Sequence, residues 1–487
     1  MSLSPHVANN QSPTLKVAAN PRTSHYRGTV SQETEYWGDW WLPAEPGRRV
    51  GGRLDLSGAI LDLTLDAALV PKGEREHDFP VIYGLARGGF ELSLLGANSI
   101  QDFPIGNWYA VSDVVVGVHL DPAKASFAET AVVIDHLTEW VPARGIDIKG
   151  TGRGEPGEKV LEISYTAQEP LEGRLTDGTD VQISTSAPWG YSLKGGHTLN
   201  YSASVRWKYG NPLATQEIVL KHVVPLQELV AWSVQRPVTV TAAYLRVRPD
   251  GEWLEWRRRW RKASATNEES PIGNIRFFAS DLAPTFADGL QRSLEVLEQS
   301  QEAVDLMVSL LFAAPEYVDT DLLLVAQSLE AYHRATLRKE RWPEAIVRER
   351  KQAVLAHFND EDDPELREWL VEVLRFANEP FLSDRLTDLH KKVEPVLDDL
   401  LRLRPLWAEL IKKMRNTYTH RGQKSGEGRR DYAPDELKEM ARLGGIVFDV
   451  CLMLDLGLSV DICRERVQRW SDYSWAMHDA RKHRNTV

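Results

Sequence analysis

The stretch that decides the fold reads PTFADGLQRSLEVLEQSQEAVDLMVSLL and occupies residues 284–311. Its apolar residues recur at helical spacing, at Leu290, Leu294, Leu297, Val304, Val308 and Leu311. Before it, from about residue 36 to 278, short runs of alternating apolar and polar residues are separated by Gly, Pro, Asn and Asp. This change of period predicts a multidomain chain, with an all-β, sandwich-like N-terminal region and an all-α C-terminal bundle.

The same patterns predict the domain boundaries. Residues 1–34 are rich in Asn, Ser, Pro and Ala and are predicted to be disordered, residues 35–283 form the β-rich region, and residues 284–487 form the helical domain. Glycines and prolines cluster within 145–158, which indicates either a division into two β subdomains or a long hairpin loop. Glu217–Val224 is among the predicted strands.

Length, charge and cysteine usage limit the classes of function. A chain of 487 residues exceeds one ordinary core, and its formal net charge of -12 argues against a general nucleic-acid coat protein while permitting a small basic site. The N-terminus lacks a signal-peptide pattern and the longest apolar stretch, 444–458, is interrupted by two aspartates, so we expect a soluble cytoplasmic protein without a membrane span. Cys451 and Cys463 lack metal-binding spacing and are predicted to be buried thiols.

The candidate reactive residues lie in the motif R-N-T-Y-T-H at 415–420. The imidazole of His420 can transfer a proton near neutral pH, and the guanidinium of Arg415 carries a permanent positive charge with donors suited to phosphate oxygens. If the motif is helical, Asn416 and His420 share one face and Arg415 lies roughly 140° around the helix from His420. These are the groups that phosphodiester cleavage needs, although a solvated helix end would show the same pattern.

The surroundings of the motif favour the functional interpretation. Leu406, Leu410 and Met414 have helical spacing, which predicts that the motif lies at the end of a helix. Residues 402–430 contain only two acidic residues, Glu409 and Glu427. The basic residues in the same stretch are Arg402, Arg404, Lys412, Lys413, Arg415, Arg421, Lys424, Arg429 and Arg430. In an acidic chain, this basic island predicts an anion-binding surface.

A basic helix end that carries R-N-x-x-x-H inside an all-α domain resembles the HEPN ribonuclease superfamily. The segments LLVAQSLEAYHR at 323–334 and FANEPFLSDRL at 376–386 resemble the early helix and the middle segment of an ApeA-type HEPN domain. Segments similar to the β-rich N-terminal region of the same family are Trp37–Leu56, Phe79–Leu95, Val114–Leu120 and Leu137–Trp140. The resemblance covers the chain beyond about its first thirty residues.

The resemblance implies an anti-phage effector in which the β-rich region senses an infection signal, such as a phage-derived trigger protein. The HEPN domain would then cleave RNA, with transfer RNA as one candidate substrate, and arrest the host by abortive infection. We expect His420 to supply acid-base catalysis and Arg415 positive charge, with Asn416 orienting the phosphate or the imidazole and without a metal ion or cofactor. The resemblance implies that Glu330 holds Arg415 or His420, whereas a helix-surface pair with Arg334 is the alternative.

One motif offers one histidine, and because the reaction uses two proton-handling groups, we expect at least a homodimer through the HEPN domains. Lys412, Lys413 and Arg421 are the candidate RNA-binding residues. A catalytically silent HEPN module that binds protein or nucleic acid is the alternative function. A carbohydrate-binding β-sandwich is a third, for which Trp253, Trp256 and Trp260 could form the platform, although core packing is the favoured interpretation of these tryptophans. The acidic run at 359–363 lacks the pattern of a calcium loop, and no metal site is predicted.

Overall fold

The computed structural model describes residues 33–70, 78–100, 107–141, 145–149, 162–166, 168–186, 189–192, 196–199, 202–261, 274–282, 284–312, 317–337, 340–357, 364–419 and 432–484. The predicted disordered segment 1–34 lies outside the described residues except for its last two positions. Most of the Gly- and Pro-rich segment 145–158 also lies outside them.

The described residues form sixteen strands and thirteen helices, numbered in chain order. The strands are β1 (Glu35–Trp41), β2 (Val50–Asp55), β3 (Leu61–Leu65), β4 (Phe79–Ala86), β5 (Glu91–Ser99), β6 (Asn107–Val116), β7 (Phe127–Ile134), β8 (Ile146–Lys149), β9 (Glu162–Tyr165), β10 (Leu171–Arg174), β11 (Asp180–Ser186), β12 (Trp189–Ser192), β13 (Gly196–Leu199), β14 (Ser202–Leu213), β15 (Val240–Arg246) and β16 (Leu254–Arg258). The helices are α1 (Leu137–Trp140), α2 (Thr215–Ile218), α3 (Val224–Val234), α4 (Phe286–Gln299), α5 (Gln301–Phe312), α6 (Val318–Thr336), α7 (Glu344–Leu355), α8 (Pro364–Arg375), α9 (Leu382–Leu403), α10 (Trp407–Thr419), α11 (Pro434–Asp455), α12 (Val460–Val467) and α13 (Ser471–Arg484). The predicted division into a β-rich N-terminal region and a helical C-terminal region is confirmed.

The first six strands close into an antiparallel barrel in the order β1-β2-β3-β6-β5-β4, with β4 pairing back to β1. Closure removes the exposed strand edges that an open sandwich would leave. The interior has its own buried apolar cluster, which includes Trp40, Leu63 and Tyr109. Gly84 on β4 has to be a glycine, since a Cβ there would lie 2.2 Å from the Trp40 ring. The closed barrel therefore refines the expectation of a sandwich.

A second set of strands, in the order β10-β11-β14-β7-β15-β16, continues from the barrel through the pairing of β16 with β6. The buried carboxylate of Asp113 on β6 fixes this connection, because it accepts hydrogen bonds from Trp256 Nε1 at 2.8 Å and from Arg258 Nη1 at 2.9 Å. Trp256 is buried, as the core interpretation of these tryptophans predicted. The separate pairing of β8 with β9 joins the two sides of segment 150–161 in the arrangement of a hairpin.

The segment predicted as a strand at Glu217–Val224 is helical, and that prediction is wrong. It forms α2 and a π-helical turn at Val219–Val223, and it continues directly into α3. Pro225 in the first turn of α3 has no backbone N–H to donate, and the turn before it is the widened one. Four of the eight residues of the segment, Ile218, Val219, Val223 and Val224, are β-branched and favour strands. In the structure Glu217, Leu220 and Lys221 form its exposed face, and because Leu220 is apolar the sequence does not show that face as polar.

Helix α3 carries the β-rich region into the helical bundle. The core that begins under the second set of strands continues through α3 to α6, α9, α10 and α11 as one buried apolar cluster. At the centre of the junction, Asp449 on α11 accepts hydrogen bonds at 2.7 Å from Trp232 Nε1 on α3 and from Arg276 Nε in the connecting segment. The two regions therefore share a core and a buried ion pair.

Glu228 on α3 is a second buried acid at this junction, where its Oε2 accepts a hydrogen bond at 3.1 Å from Gln301 on α5. Burial raises the pKa of the Glu228 carboxyl to about 7, and the nearby carboxylate of Asp305 acts in the same direction. In an unfolded chain the same carboxyl ionises near its ordinary pKa of 4.5. Between these two values the folded state binds more protons than the unfolded state, so stability falls as pH rises.

We expect Glu228→Gln to remove this pH dependence. Wild type should lose on the order of 3 kcal/mol of unfolding free energy, attributable to this one group, between about pH 4.5 and 7. The variant should lose correspondingly less, because an amide does not ionise. Chemical denaturation of both proteins at a series of pH values measures the difference, and parallel pH profiles would contradict the assignment.

Candidate active site

Helix α10 presents one apolar face to the bundle and leaves Arg415 and Asn416 on its flank and outer face. Trp407, Ile411 and Met414 are buried, whereas Leu406 is 66% exposed and precedes the first helical residue. The predicted helix is confirmed, and Met414 lies on its buried face. Leu406 lies outside the helix because the chain turns through Pro405 before α10 starts.

Arg415 and Asn416 lie at the exposed end of α10. The Arg415 side chain is 37% exposed, and its Nη2 lies 3.8 Å from Oε2 of Glu330 on α6. Its Nη1 donates a hydrogen bond at 3.3 Å to Oδ1 of Asn416, which is itself exposed. A fixed positive charge with an adjacent amide, open to solvent on one side, is suited to binding a phosphate oxygen.

His420 and Arg421 lie outside the described residues, so the expected common face of Asn416 and His420 stays a prediction. The described part of α10 ends at Thr419, the residue immediately before His420. Tyr418 on this last turn donates a hydrogen bond at 3.5 Å to the carbonyl oxygen of Tyr432. The described residues on the two sides of segment 420–431 are therefore in contact.

Glu330 contacts both Arg415 and Arg334, which the sequence analysis offered as alternative partners. Its Oε2 faces Arg415, while its Oε1 lies 3.5 Å from Nη2 of Arg334 one turn along the same helix. The same Oε1 lies 4.0 Å from Nε of Arg385 on α9. Three guanidinium groups from three helices thus share one carboxylate, which concentrates positive charge beside the motif.

Arg385 and His333 belong to this arrangement, and sequence reasoning missed both as site residues. The side chain of Arg385 is only 4% exposed, and that of His333 is fully buried. A signal was present, because Arg385 precedes Leu389 by four residues on the buried stripe of α9, and His333 follows Leu329 by four on that of α6. A charged or polar residue on a buried helix stripe needs a partner, and here the two are partners of each other.

Two of the described residues of the basic island pair with acids that lie outside it, whereas Arg421, Lys424, Arg429 and Arg430 are not among the described residues. Arg402 pairs with Asp398 one turn earlier on α9, and Arg404 pairs with Glu439 on α11. Neither acid lies between 402 and 430, so counting charges within that segment overstated its basic character. Lys413 is exposed on the outer face of α10.

Lys412 lies on α10, the motif helix, and its side chain reaches the start of α9. Its Nζ donates a hydrogen bond at 3.3 Å to Ser383 Oγ and lies 3.8 Å from Glu409 on the same helix. Lys412 is therefore partly engaged in linking two helices, and Lys413 is the more open of the two candidate RNA contacts.

Other sequence predictions concern metals, thiols and membranes. Across the described parts of the chain, no three His, Cys, Asp or Glu side chains are grouped so as to hold a metal ion, and the acidic run 359–363 lies outside those parts. Cys451 and Cys463 are free and buried, as predicted, and burial raises the pKa of each thiol to about 12. Within the described residues no helix combines the length and apolar character needed to span a bilayer.

Two protein-family models match the chain. The model described as ApeA N-terminal domain 1 matches residues 35–288, which is more than half of the chain. The model described as Apea-like HEPN matches residues 323–462, a range that contains α6, α9, α10 and the whole 415–420 motif. Neither a curated protein nor a solved structure matches the chain.

We expect the side chains of Arg415 and Asn416 to contribute little to the stability of the fold. Asn416→Ala should change the free energy of unfolding by less than about 0.5 kcal/mol, and Arg415→Ala by less than about 1 kcal/mol, because both side chains are solvent-accessible. Met414→Ala on the buried face of the same helix should cost about 2–5 kcal/mol. Thermal and chemical unfolding of the three variants tests this, and a large loss in Asn416→Ala would contradict it.

Proposed function

The chain belongs to the ApeA-like HEPN family, and from this membership and the geometry of α10 we propose that it is a metal-independent endoribonuclease of anti-phage defence. The observation that carries the proposal is the exposed Arg415–Asn416 pair, which Glu330 contacts from α6 and which His420 follows four residues after Asn416 in the sequence. Fold membership alone would be a weak basis for an activity. The presence of the reactive side chains themselves makes it stronger.

The proposed reaction is an intramolecular transesterification of RNA. The ribose 2′-oxygen forms a bond to the adjacent phosphorus, the bond from phosphorus to the 5′-oxygen breaks, and the products are a 2′,3′-cyclic phosphate and a 5′-hydroxyl. One proton leaves the 2′-hydroxyl and one reaches the departing 5′-oxygen. His420 transfers a proton in this scheme, Arg415 stabilises the negative charge of the pentacoordinate phosphorus, and Asn416 orients the phosphate or the imidazole.

Substrate binding is assigned to the basic residues around the motif. Lys413 is exposed on α10 two residues before Arg415, Lys412 lies one turn before Asn416, and Arg421 follows His420 in sequence. Lysines and arginines of this kind bind the phosphate backbone without reading its sequence. The RNA, for which transfer RNA is one candidate, is therefore expected to be selected by its shape or by features beyond these contacts.

We assign the β-rich region to sensing and the helical region to cleavage. The buried junction at Asp449 supports this division of labour, because Trp232 and Arg276 contact α11 directly and would carry a change in the β-rich region to it. A phage-derived protein or another infection signal is the proposed trigger. RNA cleavage in the infected cell would stop its growth before the phage is released.

His420→Ala and Arg415→Ala should each abolish RNA cleavage in infected cells. Cells that express wild type are challenged with a panel of phages, and total RNA is analysed for new fragments with 5′-hydroxyl and 2′,3′-cyclic phosphate ends. Wild type should give such fragments with the phages that it restricts, whereas the variants should give none. Met414→Leu, which keeps an apolar side chain of similar volume on the buried face of α10, is the control and should behave as wild type.

Two results would contradict this proposal. Equal RNA integrity in cells with wild type and with His420→Ala, under phages that wild type restricts, would favour the catalytically silent HEPN module instead. Loss of RNA cleavage by the purified active protein in EDTA, with recovery on adding a divalent cation, would refute the metal-independent mechanism.

We further propose that the active form is at least a homodimer whose HEPN domains place two copies of the motif across one cleft. Each chain supplies one His420, whereas the reaction uses one proton acceptor and one proton donor. If one cleft needs both histidines, mixed dimers of wild type and His420→Ala are inactive. If each protomer instead cleaves with its own His420 alone, the wild-type half of a mixed dimer stays active.

Co-expression tests this arrangement. With a threefold excess of His420→Ala, random pairing leaves about a quarter of the wild-type chains in wild-type homodimers, so activity per wild-type chain should fall about fourfold. The solution mass from light scattering should be that of a dimer or a larger assembly. An unchanged activity per wild-type chain, or a monomeric active protein, would exclude the shared cleft.

A further inference from the structure

The three guanidinium groups around Glu330 differ in how firmly they are held. Arg334 is 56% exposed and pairs with Glu330 along the same helix, which makes it a loosely held partner. Arg415 is partly exposed and belongs to the motif. Arg385 is buried and approaches the carboxylate from α9. Of the three, Arg385 is therefore the partner whose position is set by the protein interior.

Contacts on every side fix the Arg385 guanidinium. Its Nε donates to the carbonyl oxygen of Pro380 at 3.2 Å, and its Nη2 donates to Oε2 of Glu379 at 3.4 Å. Its Nη1 lies 3.5 Å from Nδ1 of His333 on α6. A guanidinium only donates hydrogen bonds, so Nδ1 of this histidine has to be the accepting nitrogen.

The contact with Arg385 also selects the tautomer of His333. Because Nδ1 accepts, the proton lies on Nε2, which is 3.3 Å from Oδ2 of Asp388 on α9 and donates to it. Asp388, His333 and Arg385 thus form a connected series that crosses from α9 to α6 and back to α9.

We propose that Arg385, supported by His333, is a positioning residue for the candidate active site. It attracts Oε1 of Glu330, so Oε2 is left facing Arg415. Without Arg385, only the exposed and mobile side chain of Arg334 would hold Oε1, and Arg415 would lose its fixed partner. This inference rests on the proposed ribonuclease activity and adds to it a buried residue that touches neither the motif nor, in the proposed mechanism, the RNA.

A double-mutant cycle between Arg385 and Glu330 tests the proposal. Arg385→Met and Glu330→Gln should each lower kcat about ten- to a hundredfold, with KM for RNA nearly unchanged, because they disturb the orientation of Arg415 and not the binding surface. The double variant should be no slower than the slower single variant, since both changes remove the same link. If the two single effects multiply in the double variant, Arg385 does not act through Glu330.

Arg385→Lys is a second, milder variant that tests the same role if Arg385→Met does not fold. It keeps the charge but loses the fork that contacts Pro380, Glu379 and His333 together, so kcat should fall about tenfold while most of the thermal stability remains. The matched control is Arg466→Lys, which removes a two-hydrogen-bond contact with Asp281 that involves none of α6, α9 and α10. Its kcat should equal that of wild type.

The outcomes separate the inference from the function on which it rests. Wild-type kcat in Arg385→Lys, with cleavage still absent in His420→Ala, would overturn the positioning role and leave the ribonuclease intact. A kcat in Arg466→Lys as low as that in Arg385→Lys would also overturn it, because any loss of a buried arginine contact would then have the same effect. No difference in cleavage between wild type and His420→Ala would overturn both proposals.

Discussion

The carboxylate of Asp449 is the point on which the relation between the two halves of the molecule depends. It is buried, accepts one hydrogen bond from the β-rich region through Trp232 and a charge-assisted one from Arg276, and lies in the middle of the longest buried stretch of α11. Burial raises the pKa of this carboxyl, while the guanidinium of Arg276 opposes that rise. Removing one partner of a buried ion pair costs about 3–5 kcal/mol, because the other charge is left without compensation. Loss of either partner would therefore weaken the docking of the two regions.

The helix that carries Asp449 also supports the candidate active site. Two residues after Asp449, the carbonyl oxygen of Cys451 accepts a hydrogen bond at 3.0 Å from the buried hydroxyl of Tyr332 on α6. Lys392 on α9 binds Asp455 at 2.6 Å and the same hydroxyl at 3.0 Å. Helices α6 and α9 are thus held to α11 by polar contacts as well as by the shared core, and these are the two helices that supply Glu330 and Arg385.

The sequence predicted the change from strands to helices and the position of the motif helix, because both depend on local periodicity and on turn residues. It did not predict barrel closure, since the pairing of β4 with β1 and of β5 with β6 depends on register between distant strands. Residues 217–224 were predicted as a strand because half of them are β-branched and because apolar Leu220 lies on the exposed face of the helix, where a polar residue is expected. Within the site, the sequence predicted that Arg415 and Asn416 lie near the end of a helix, and their catalytic role stays a prediction. A contact of Glu330 with Arg415 was expected only from the family resemblance. The position of Arg385 beside Glu330 was found only in the structure.

Arg385 and Arg415 have similar surroundings in the sequence, so the sequence alone does not distinguish their roles. Both are arginines next to apolar helix positions, and both face the same carboxylate. What distinguishes them is desolvation: a buried guanidinium must satisfy its donors within the protein, and Arg385 does so with a carbonyl, an imidazole and two carboxylates. Arg415 is left with one amide and one distant carboxylate among the contacts that the structure describes, and with a solvent-facing side. An arginine whose donors are incompletely used by its own protein is the better candidate for binding a substrate anion, and the fully engaged arginine behind it is the better candidate for holding it in place.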